Sequence, residues 1–166
     1  LYYYLYTFFE FSFFAFFIIG YIESKKTKKL LIIASILFLG FIIYYYTQIP
    51  LKKIDAIPIG IETILLYIFI IPYLASQFKK ELSFQLHKQF HFWIILGIMF
   101  YLAGTFFFNI VGNELNKSEI KRFWFYSYLA DILKNLFFTF SIVFYIKEKA
   151  LLKSKIKSLP NLDFTL

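Results

Sequence analysis

Residues 123–146 read Phe123-Trp-Phe-Tyr-Ser-Tyr-Leu-Ala-Asp131-Ile-Leu-Lys134-Asn135-Leu-Phe-Phe-Thr-Phe-Ser-Ile-Val-Phe-Tyr-Ile146. Apart from Asp131, Lys134 and Asn135 the run is nearly all apolar or aromatic, and as a helix it is long enough to cross a hydrocarbon core of roughly 30 Å. An aspartate and a lysine facing lipid there would be costly, so neighbouring helices must shield them. The stretch therefore predicts a bundle of membrane helices rather than a lone anchor.

Working outward, four further apolar runs occupy about 1–22, 30–46, 57–77 and 90–111. Together the five predict an all-α, polytopic transmembrane helix bundle over residues 1–150, with a short basic tail at 151–166. Hydrophobic residues make up 60% of the chain and charged ones 17%, below the roughly one quarter usual for a soluble domain. Pro72 inside the third run predicts a kink. Leu1 already lies in an apolar run, so the expectation is that an N-terminal part is missing. No basic segment and cleavage site frame the first run as a leader, and it reads as a retained helix.

The net charge of +8 does not imply a nucleic-acid partner, because the lysines sit between apolar runs rather than on a folded basic surface. They read instead as topology signals and contacts with lipid headgroups. Residues 23–29, 78–91 and the tail from Lys147 carry 4, 3 and 5 basic residues, against 2 (Lys52, Lys53) and 3 (Lys117, Lys121, Arg122) in the alternate loops. The positive-inside rule then places the richer set, with the C-terminus, in the cytoplasm.

Glu10 is twelve residues before the inner end of the first run, and Lys134 is twelve before the inner end of the last. At 1.5 Å per residue both lie roughly 18 Å from the cytoplasmic boundary, which makes them a candidate ion pair. Asp131, three residues before Lys134, competes for the same ammonium. Glu62 matches Asp131 in depth. A polar core or ligand pocket of Glu10, Glu62, Asp131, Lys134 and Asn135 is expected, open towards the exterior.

Gly97, Tyr101 and Gly104 recur at helical spacing and predict a close-packing face on the fourth run. His87 and His91 have i,i+4 spacing but no third ligand in pattern, so no metal is expected. With no cysteine, no phosphate-binding glycine loop and both histidines far from Asp131, no catalytic residue and no cofactor are assigned.

Tyr6-x3-Glu10-Phe11, Glu62 and the segment Phe92-Trp93-Ile94 through Gly97, Tyr101 and Gly104 resemble a group of uncharacterised polytopic membrane proteins common in Bacteroidota. The resemblance implies a bundle of about seven helices, two of them before Leu1, in a bacterial inner membrane and associated with signalling proteins. The leading expectation is thus a receptor-like or signalling-associated membrane domain with lipid and a cytoplasmic or membrane-protein partner. A structural or interaction subunit is the alternative, and a transporter or intramembrane enzyme the weaker one.

Overall fold

A computed structural model describes residues 2–48, 56–78, 83–111 and 117–157, with side chains over 4–48, 57–78, 86–106 and 124–153. The described elements are α1 (Tyr2–Gly20), α2 (Lys25–Gln48), α3 (Ala56–Phe78), a short 3-10 turn (Ser83–Lys88), α4 (Phe90–Val111) and α5 (Lys117–Lys157). Helices are the only elements among them. In lipid that is the economical solution for a single chain, because every backbone donor finds its acceptor within the same segment.

The helices pack in a relay: α1 lies on α2 and α3, α3 on α4, and α4 on α5, the most extensive contact of all. Phe11 of α1 sits between Phe38 of α2 (4.5 Å between ring centres) and Phe69 of α3 (6.2 Å), and all three are buried. The Tyr67 hydroxyl of α3 donates to the Met99 carbonyl of α4 at 2.7 Å. At one end of the bundle Tyr21 stacks on His91 at 4.4 Å, Tyr73 bonds His91 Nδ1 at 2.7 Å, and Phe90 meets Tyr145. These contacts put the ends of α1 and α3, the start of α4 and residue 145 of α5 at one level. Accordingly α1, α3 and α5 run one way and α4 runs back. Burial, with the nearby Glu148 carboxylate, pushes the Tyr21 hydroxyl above its usual range and keeps it neutral beside His91.

The expectation of five membrane spans is corrected to three. Among the described residues, Lys25–Gln48, Ile57–Phe78 and Trp124–Lys153 are long and apolar enough to cross, whereas the parts of α1 and α4 with described side chains, Tyr4–Gly20 and Phe90–Phe106, are shorter apolar stretches. An apolar run of letters overstated helix length: the first run continues to Ile22, but the helix stops at Gly20. There Tyr21 and Ile22 donate to Ile18 and Ile19 in tightened i,i−3 bonds. Three long apolar helices still make this a multi-pass membrane protein, and exposed side chains such as Phe13 and Phe16 offer surface to lipid.

Helix α2 begins at Lys25, earlier than its apolar run, because Ser24 caps it by accepting a bond from the Thr27 amide at 3.3 Å. Helix α3 passes through Pro72 as one element. Helix α5 continues beyond Ile146 through the basic segment to Lys157.

The antiparallel register of α4 and α5 is set by two glycines. A Cβ on Gly104 would overlap that of Ala130, and one on Gly97 would lie 3.0 Å from Phe137 Cβ and 3.2 Å from the Lys134 carbonyl oxygen. Further along, Trp93 stacks on Phe144 at 5.6 Å. From Gly104 to Gly97, seven residues of α4 are thus matched by the seven of α5 from Ala130 to Phe137. Gly40 has open space around it. Gly104→Leu is expected to destabilise the bundle by about 1–3 kcal/mol through overpacking, with Gly40→Leu close to neutral, as measured by reversible unfolding in mixed micelles.

Candidate functional site

Tyr101 stands at the crossing of α1, α4 and α5. Its hydroxyl is 2.6 Å from that of Tyr6, its ring meets Phe14 edge-on at 6.2 Å, and Lys134 Nζ lies 3.7 Å from its ring centre. The Tyr6 hydroxyl donates to Glu10 Oε1 at 3.2 Å. Either phenol can donate in the short hydroxyl bond, and Tyr101 also hydrogen-bonds the Glu10 carboxylate. The result is a cluster in which Tyr101 of α4 and Tyr6 of α1 share the Glu10 carboxylate.

Lys134 reaches Asp131 Oδ1 at 2.7 Å on its own helix. The direct ion pair of Lys134 is intrahelical, with the face of Tyr101 beneath the ammonium, and Lys134 acts on Glu10 through space rather than by contact. Three residues along a helix bring the two side chains together at little conformational cost, whereas Glu10 must be met across a gap that Tyr101 already fills. A desolvated ammonium over an aromatic face gains about 2 kcal/mol, comparable to the 2.5–3.5 kcal/mol cost of placing lysine at mid-membrane. Pairing with Asp131 offsets the remainder. The Lys134 side chain is 15% exposed, while Asp131 remains 44% exposed.

Glu62 is buried on α3 at 2% exposure, within the electrostatic reach of Glu10, and its Oε1 has no hydrogen-bond partner among the described residues. Asn135 lies on the exposed face of α5, where its carbonyl accepts from Thr139. The structure thus gathers Glu10, Asp131 and Lys134 around Tyr101, sets Glu62 behind them, and leaves Asn135 outside. Tyr6 was absent from the expected set, and Tyr101 was assigned to packing alone. Their signal was the i,i+4 spacing of Tyr6 and Glu10, together with a tyrosine on an otherwise small-residue helix face.

Beside this network opens a groove of about 500 Å³ lined by Leu5, Tyr6, Phe9, Glu10, Phe13 and Phe14. Five apolar or aromatic side chains and a single carboxylate suit an apolar body with one polar group. The Gly97 and Gly104 face cannot receive a second protein, because α5 already occupies it. His91 is engaged by Tyr73 and Tyr21, and no group of three His, Asp or Glu side chains fit to hold a metal ion occurs among the described residues.

Comparison with known proteins returns no matching family model, no matching curated protein and no matching solved structure. Tyr101→Phe, which keeps the ring under Lys134 and removes one hydroxyl bond, is expected to cost about 0.5–1.5 kcal/mol. Tyr101→Ala should cost at least about 2 kcal/mol more, since it also removes the cation–π contact and leaves a cavity. Equal losses in reversible unfolding would show that the ring does nothing for Lys134.

Proposed function

We propose that this chain is a receptor-like, signalling-associated domain of a bacterial inner membrane, related to the Bacteroidota group whose segments it resembles. A small amphiphile from the bilayer enters the groove on α1, engages Glu10, and alters the position of α5. The observation that supports this reading is the unbroken contact path from the groove to the one helix that outruns the bundle: Glu10, Tyr6, Tyr101, Lys134. Helix α5 spans 41 residues, about 61 Å, and its basic end continues past the contact of Tyr145 with Phe90.

Orientation follows from charge. The lysines at 25–29 and those from Lys147 onward belong to the same end of the bundle, the end where Tyr21, Phe90 and Tyr145 meet. Positive-inside reasoning places that end in the cytoplasm, where a signalling partner reads the displacement of α5. Such coupling demands a ligand that distinguishes two placements of α5 by its affinity.

The test fills the groove without knowing the natural ligand. The chain has no cysteine and two tryptophans, so Phe9→Cys gives a unique thiol in the groove, and Trp124→Phe leaves Trp93 as the single reporter on the α4–α5 seam. Alkylating the thiol with a bulky maleimide in lipid nanodiscs should shift Trp93 emission, and Tyr101→Phe should reduce the shift by at least half. Unchanged emission in fully alkylated, folded protein removes the coupling.

A further inference from the structure

We infer that α5 carries the contact surface for a second copy of this chain, a row of side chains centred on Asn135. The row involves none of the groove residues on α1, so it stands whether or not the chain is a receptor. Asn135 comes eleven residues after Trp124 and twelve before Lys147, roughly 17 Å from either end of the apolar stretch and so near the middle of the membrane. Its side chain is exposed, and among the described residues the amide has no hydrogen-bond partner; only the backbone carbonyl is engaged, by Thr139. Lipid chains offer neither donor nor acceptor, and an amide facing them at this depth is costly.

The face around Asn135 is turned away from the rest of the bundle. Helix α4, which meets α5 at Ala130, Lys134 and Phe137, is the one described element packed extensively on it. About 100° around the helix from Lys134 runs a second row, Tyr128, Asp131, Asn135, Thr139, Ile142 and Ile146, whose spacings of 3, 4, 4, 3 and 4 keep it on one side. Five of the six are exposed, and the Asp131 side chain is 44% exposed. Lys134 engages Oδ1 of Asp131, which leaves Oδ2 as an acceptor one turn, about 6 Å, from Asn135. Because Lys134 already offsets its charge, this carboxylate can enter a protein contact without bringing net charge to it.

A copy of the chain itself fits this pattern. An amide has two N–H donors and an acceptor oxygen, and an ionised carboxylate oxygen only accepts. A copy inserted in the same orientation presents the same groups at the same depth. Across a twofold axis each Asn135 donates one N–H to the Asn135 oxygen of the other copy and one to its Asp131 Oδ2, so donors and acceptors balance. A lipid headgroup lies about 17 Å too far away, and an unrelated membrane protein would need its own donor and acceptor at this level. Hydrogen bonds of this kind hold membrane helices together, and a single asparagine on an apolar seam fixes the register of a helix pair.

The chain has no cysteine, so Ile142→Cys places a single thiol on the row, and Leu37→Cys places one on α2 at a position 69% exposed. On oxidation of the purified full chain in liposomes, Ile142→Cys chains should join at least about tenfold faster than Leu37→Cys chains, and should still do so after about tenfold dilution into lipid. Adding Asn135→Leu should slow the joining by at least about fivefold, whereas Asn135→Gln, which keeps an amide, should hold it within about twofold. In a Trp124→Phe background, unchanged Trp93 emission checks that the α4–α5 seam is intact in each variant. Equal rates at the two cysteines, loss of joining on dilution, or a rate indifferent to Asn135→Leu overturns the assignment. So does an Ile142→Cys chain that joins a different membrane protein in native membranes while purified chains stay apart.

Discussion

The ammonium of Lys134 is the group around which the structure is arranged. A lysine in an apolar helix needs a counter-charge, a polarizable surface and exclusion of lipid, and three elements supply them. Asp131 provides the charge from one turn away, the Tyr101 face provides the surface, and close approach of α4 provides the shield. That approach is possible only because Gly97 and Gly104 carry no side chain where α5 passes. The glycines and the lysine are thus parts of one solution: a larger residue at either glycine would lift α5 and separate the ammonium from its ring.

From that contact the rest of the bundle follows in order. Tyr101 reaches Tyr6 and Glu10 of α1 with its hydroxyl while its ring lies under Lys134, so α1 is registered against α5 through a side chain of the helix between them. Tyr67 ties α3 to the same helix at Met99, two residues from Tyr101. Polar groups in a membrane bundle are costly when unmatched and directional when matched, which makes them better at specifying register than the Phe and Ile packing around them. The aromatic cluster of Phe11, Phe38 and Phe69 holds α1, α2 and α3 together, but apolar contacts of this kind tolerate small slips.

Helical class, membrane character and the close-packing glycines could all be read from composition and spacing, since each is a local property of the letters. Depth matching also brought Glu10, Asp131 and Lys134 to the same region. What it could not supply was partnership. Two charges at equal depth on different helices read as a pair only if nothing stands between them, and Tyr101, seen as one more bulky residue on a packing face, stands between. Apolar letters also misplaced an end: Tyr21 and Ile22 extend the first run but lie beyond the helix that ends at Gly20. Asn135, polar and next to Lys134, points elsewhere for a geometric reason: consecutive helical positions are about 100° apart, so a neighbour in sequence is not a neighbour on the face.

The length of α5 gives this arrangement its consequence. Between Lys134 and Lys157 lie 23 residues of continuous helix, roughly 35 Å. Over that distance α5 is held by the stacked rings of Trp93, Phe137 and Phe144, and the described side chains from Tyr145 to Lys153 are exposed. In the proposed receptor reading, a helix packed along one part and exposed along the other acts as a lever whose fulcrum is the glycine seam. A tilt of a few degrees there moves the far end by a few ångströms, in a segment that carries lysines at 147, 149, 153, 155 and 157. The side chain best placed to impose such a tilt is Tyr101, because it is the one that touches both the carboxylate side of the groove and the ammonium on the lever.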